Sequence, residues 1–202
     1  MGARSVVLVS ILVTVVMAMG LMLFVVDFPR TASDDMLPNL RKGDLVLACR
    51  VCGRPQRGDV VLFTAPDGGP LTIRRVVGVP GDRVEVRAGQ TLVNGKPLPS
   101  EALGNLRLAG IDPVSTEPRS FAARIEHGGT HDYKVVRDHG VAQSGDRAAV
   151  TLEDAYFVLA DRRTLVRDSR DYGPVRHAAM RSIVLRILQA GDHDGARTTR
   201  VP

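Results

Sequence analysis

The sequence has no tryptophan, only two cysteines, and 4% aromatic residues among its 202. Two cysteines cannot supply a four-thiolate zinc site or a dense disulfide framework. No internal repeat is present, so stacked-repeat architectures are excluded. No low-complexity tract is present either: the 20 glycines and 12 prolines are spread along the chain and read as turn punctuation. There is also no long basic run. The formal charge of +5 therefore does not point to nucleic acid, and contact with anionic lipid head groups accounts for it more simply. The pI is near 9.8.

What is present begins with an uncharged stretch from Ser5 to Val26. About 20 helical residues cross a bilayer's hydrocarbon core, and this stretch is long enough. Arg4 and the amino terminus precede it, and Asp27 and Arg30 follow. The positive-inside rule then favours a cytoplasmic N-terminus. The alternative is a cleaved secretory signal, because Ala18-Met19-Gly20 has small-x-small spacing. Leu21 to Val26 continue the apolar run beyond that point, which favours an uncleaved anchor over residues 1–27. The expectation is a single-pass protein of the cytoplasmic (inner) membrane, its domain over residues 28–190 extracytoplasmic.

Beyond the anchor the pattern is short and β-like. Apolar runs Leu45–Ala48, Val60–Phe63, Ile73–Val79, Arg83–Val86 and Tyr156–Leu159 are bounded by Gly, Pro, Asp or other turn formers. Asn94-Gly95 is a hairpin signal, since a type I′ turn needs positive φ at both central residues. No ten-residue helical stripe precedes Val175. Ala178–Leu188 fits a strand or a short helix. About residues 99–150 are less regular and suggest an inserted subdomain or long loop system. The tail over 191–202 is polar and expected to be flexible. The fold class is mostly β, preceded by one N-terminal transmembrane helix.

Five blocks carry a resemblance. They are Ser33-Asp34-Asp35-Met36-Leu37-Pro38-Asn39-Leu40 with Gly43-Asp44; Arg57-Gly58-Asp59-Val60-Val61; Ile73-Arg74-Arg75-Val76-Val77-Gly78-Val79-Pro80-Gly81-Asp82; Val93-Asn94-Gly95-Lys96-Pro97-Leu98; and Tyr156-Phe157-Val158-Leu159-Ala160-Asp161 with Arg163, Asp168-Ser169-Arg170 and Gly173-Pro174-Val175. In this order behind one apolar segment, they resemble the type I signal peptidases, serine–lysine membrane peptidases. The resemblance covers roughly residues 5–98 and 153–188, and Glu126–Tyr133 is similar to the family's inserted region. It implies a membrane-anchored β-fold with an apolar groove near the bilayer.

The family resemblance also implies a serine nucleophile and a neutral lysine base. A serine hydroxyl attacks poorly until a base takes its proton, and lysine serves only when burial lowers its pKa. The matching positions here hold Asp35 and Arg74. A guanidinium stays protonated and cannot be that base. Asp35 has no hydroxyl to form an acyl ester. The two substitutions are matched in charge, which predicts a salt bridge between them. By the same resemblance, Ser33 falls at an auxiliary oxyanion-hole hydroxyl, and Met36 and Ile73 fall at groove-lining positions. Val166 stands where a serine supports the lysine. Asp168 and Arg170 read as a structural ion pair. A persisting groove would hold an extended peptide by strand addition.

Cys49 and Cys52, spaced Cys-x-x-Cys, read as a local disulfide, with free thiols or a redox pair as alternatives. His127, His131 and His139 fit no metal spacing and read as surface residues, and no cofactor is implied. The leading functional expectation is a non-catalytic homologue that binds or assists exported or membrane-anchored proteins. The rivals are an active endopeptidase removing signal peptides from exported precursors, and a regulator pairing with an active signal peptidase or secretion complex.

Overall fold

A computed structural model describes residues 2–111, 117–129, 131–141, 145–164 and 166–191. The flexible tail expected over 191–202 lies outside these residues except for Gly191. In chain order the elements are α1 (Ala3–Val25), β1 (Val26–Asp27), β2 (Leu45–Cys49), β3 (Val60–Thr64), β4 (Leu71–Gly78), β5 (Arg83–Arg87), β6 (Gln90–Val93), β7 (Lys96–Pro97), β8 (Ser100–Leu108), β9 (Arg119–His127), β10 (Asp132–Asp138), β11 (Arg147–Thr151), β12 (Ala155–Leu159), α2 (Ser169–Tyr172), β13 (Val175–Arg176) and β14 (Met180–Gln189).

Helix α1 runs through the uncharged stretch, and Val6, Leu8, Leu12, Met17 and Phe24 on it are exposed. Among the described residues, no helix is long and apolar enough to cross a membrane. Within α1, the side chains described without a break run only from Ser5 to Gly20.

The body of the fold is three sheets. A seven-stranded sheet has the order β1-β2-β14-β3-β4-β12-β13, a four-stranded sheet the order β11-β5-β6-β7, and a three-stranded sheet the order β10-β9-β8. Every apolar run expected to be a strand lies on one. β14 takes the ambiguous Ala178–Leu188 region from Met180 onward. It is paired on both sides, to β2 and β3, and that tertiary pairing decides what periodicity left open. Asn94 and Gly95 have φ of 53° and 77° in the β6–β7 turn, as the hairpin signal requires.

The region that looked irregular, about residues 99–150, is more ordered than its sequence suggested. Most of it is the three-stranded sheet, whereas β11 leaves that region to pair with β5. The pattern was obscured because β8 is largely exposed and carries a bulge between Ala102 and Gly104, which breaks the two-residue alternation. The β9–β10 hairpin packs against the loop before β3 through Gly129. A Cβ there would lie 1.9 Å from the Arg57 carbonyl oxygen, so only glycine fits.

Four apolar clusters join the layers. Met36, Leu40, Val46, Val60 and Ile187 form one face of the main sheet's core. Val61, Phe63, Val76, Tyr156 and Val158 form the opposite face. Val77, Val84, Leu152 and Phe157 seal the four-stranded sheet. Leu37 packs with Phe121, Ala123 and Val136 of the three-stranded sheet.

Candidate functional site

A turn over residues 35–39 and the strand β4 set the site. In the segment before β2, Met36 enters the main core and Leu37 enters the core of the three-stranded sheet. Asp35 is left facing a groove of about 520 Å³. On β4, successive side chains point to opposite faces. Arg74 therefore lines the groove while Arg75 turns into the interior.

Arg74 Nη2 donates to Asp35 Oδ2 at 2.9 Å. The Arg74 side chain is 7% exposed and that of Asp35 is 29% exposed. All three guanidinium nitrogens of Arg74 are engaged: Nε and Nη2 also reach the Arg167 carbonyl at 3.0 and 2.9 Å, and Nη1 reaches the Ile73 carbonyl at 2.7 Å. The guanidinium is thus clamped from three sides, and the Asp35 backbone is fixed as well, its carbonyl accepting from Arg162 N at 2.9 Å. Ser33, Met36 and Ile73 line the same groove, so the structure brings all five sequence-selected groove positions together. Ser33 is exposed, Met36 is buried and Ile73 is half-buried.

The other selected residues stand elsewhere. Asp168 and Arg170 form a buried two-pronged pair at 2.8 and 2.7 Å, and Asp168 also caps α2 and accepts from Ala160 N. Arg170 passes a further bond to the Arg163 carbonyl, so the pair braces the loop behind the groove. Val166 is buried. Cys49 and Cys52 are joined by a disulfide with a Cα–Cα distance of 5.7 Å. His127 is half-buried beside Asp132 at 2.9 Å, so it is less of a surface residue than expected. His139 is exposed. No cluster suited to a metal ion occurs among the described residues.

Sequence reasoning missed the pair that holds the site's frame. Arg75 and Asp161 are each fully buried and meet through Nε–Oδ1 at 2.8 Å and Nη2–Oδ2 at 2.7 Å. Arg75 also donates to the Gly58 carbonyl and lies 4.1 Å from the Tyr133 ring centroid. Asn39, four residues after Asp35, donates to Asp161 at 2.6 Å. The available signal was the adjacent Arg74-Arg75 on a strand, where one of the two must face inward. Tyr172 in the groove wall was missed too. Burial pushes its phenol well above the ordinary value, and its hydroxyl has no partner among the described residues.

A family profile described as "Signal peptidase, peptidase S26" matches residues 4–186. This chain belongs to the signal peptidase family. Signal peptidase I of Leptolyngbya laminosa is 33% identical over 96 residues, 42% of this chain and 47% of that protein. Probable signal peptidase I-1 of Synechocystis sp. is 35% identical over 102 residues, 45% of this chain and 52% of that protein. This member of the family thus spans about half the length of those two relatives. Signal peptidase I V of Bacillus subtilis is 29% identical over 144 residues, 70% of this chain and 73% of that protein. A crystal structure of a signal peptidase I from Enterococcus faecalis V583 is 26% identical and covers 65% of this chain and 97% of that chain, at a TM-score of 0.39. The family assignment rests on sequence.

Proposed function

We propose that this signal-peptidase-family protein is anchored in a membrane by α1 and holds an extended segment of an exported or membrane-anchored protein in its groove without cleaving it. The observation that carries the reading is the Asp35–Arg74 ion pair at 2.9 Å, at the two positions that resemble the family's nucleophile and base. Arg74 cannot accept a proton, and its donors are spent on carbonyls and on Asp35. Asp35 has no hydroxyl, and attack through its carboxylate would give an anhydride in place of an ester.

The peptide part of the reading is supported by an open strand edge. Leu71–Arg74 of β4 pair with β3 on one side, while β12 reaches only the stretch from Arg75 to Gly78 on the other. Among the described residues no strand covers the second edge of Leu71–Arg74. An added strand would find backbone partners there and apolar walls at Leu62, Ile73 and Met36. The anchor reading is supported by the uncharged Ser5–Val26 stretch and the outward apolar side chains of α1.

The test is equilibrium binding. The full chain in detergent is titrated with a fluorescent peptide carrying an Ala-x-Ala segment, with anisotropy and intact mass read together. Saturable binding of an uncut peptide, weakened by Ile73→Arg, is expected. Anisotropy no higher than in detergent alone would remove the reading.

A further inference from the structure

The register across the seven-stranded sheet aligns Val26, Cys49, Ile183, Val61 and Arg74 in one row. Moving from that row toward Val25, Arg50, Ser182, Leu62 and Ile73 leads to one end of the sheet. Helix α1 leaves from this end, because Arg50 N donates to the Val25 carbonyl at 2.8 Å. The Cys49–Cys52 disulfide closes the turn beside it. At the tip of that turn Val51 is 66% exposed, and Phe24, in the last turn of α1, is 74% exposed. Leu71, at the first position of β4, is exposed at the same end.

Charged groups stand at the same end. Asp27 holds both Arg50 and Arg181, and Asp67, in the β3–β4 turn, holds Arg167. Three cations thus face two anions at the end of the sheet from which α1 emerges. Exposed apolar side chains with arginines at the same end of the sheet suit the boundary between head groups and acyl chains, and the positive balance suits anionic head groups.

We propose that the disulfide-closed turn Cys49–Cys52 is a second membrane contact, with Val51 seated at the lipid boundary and Arg50, Arg167 and Arg181 facing anionic head groups. This rests on the reading of α1 as an anchor. The contact would hold the groove, whose Leu71–Arg74 edge lies at this end, at a fixed height over the bilayer.

The absence of native tryptophan makes the test clean. The full chain carrying Val51→Trp is reconstituted into phosphatidylcholine vesicles with or without phosphatidylglycerol, beside a Leu103→Trp control on the exposed β8. Flotation with the vesicles reports the anchor; emission wavelength and quenching by brominated acyl chains report the turn. The expected result is a blue shift and loss of intensity for Val51→Trp only, stronger with phosphatidylglycerol and weakened by Arg181→Gln. Flotation with both reporters equally unshifted and unquenched overturns the turn contact and leaves the anchor standing. Failure to float overturns the anchor reading and the turn contact with it.

Discussion

Replacing Arg74 by methionine separates a maintained ion pair from two accidental substitutions. The variant leaves Asp35, whose side chain is 29% exposed, without its cation, and strips the Arg167 and Ile73 carbonyls of their donors. Removing one partner of a buried pair costs about 3–5 kcal/mol. Asp35 is part-exposed and can regain water, so an estimate of about 3 kcal/mol is appropriate. For a chain of this size that lowers Tm by roughly 6–12 °C. The companion Asp35→Asn with Arg74→Met removes both charges and should recover about 1–2 kcal/mol of that loss. The assay is near-UV circular dichroism of the three tyrosines, Tyr133 on β10, Tyr156 on β12 and Tyr172 on α2, during urea unfolding in detergent. If the double variant falls by the sum of the two single losses, within about 0.5 kcal/mol, the pair is not coupled and the argument fails.

Arg75→Met, which strands the fully buried Asp161, should cost more than Arg74→Met, about 3–5 kcal/mol by the same unfolding assay; a smaller loss would contradict its role as the frame. Gly129→Ala drives a Cβ to 1.9 Å from the Arg57 carbonyl and should cost about 2 kcal/mol or more. Gly145→Ala, with nothing within 4 Å, should stay within about 0.5 kcal/mol in the same experiment. Burial raises the Asp138 carboxyl, but Arg162 and Arg119 outweigh it and hold the group below its ordinary value of 3.8. A depressed carboxylate contributes stability above its unfolded pKa and loses it as pH falls through the folded one. Urea titrations at neutral pH and below pH ~4 should therefore show an acid loss that Asp138→Asn makes shallower; equal acid slopes would refute the assignment.

Much of this was legible in one sequence because strands here announce themselves by apolar runs. Val60–Thr64, buried along most of its length, reads as a core strand, and Asn94-Gly95 reads as the turn between β6 and β7. Motif order points to Asp35 and Arg74 as one site, and both side chains line the same groove. What was not legible depends on partners far away in sequence. Nothing local says that Arg75 meets Asp161, or that the Arg167 carbonyl clamps Arg74. β8 hid because its alternation is broken by a bulge and its side chains face water, where composition is unconstrained. β14 was ambiguous until pairing on both sides made it a central strand.

The central claim, that this site binds without cutting, is tested most directly by proteolysis. A precursor carrying an Ala-x-Ala site is incubated with the native full chain, with Asp35→Ala, and with the double change Asp35→Ser and Arg74→Lys, and its mass is followed over time. The account predicts an intact precursor with the native protein and with Asp35→Ala, and cleavage gained by the serine–lysine variant. Cleavage by the native protein that disappears in Asp35→Ala would contradict it.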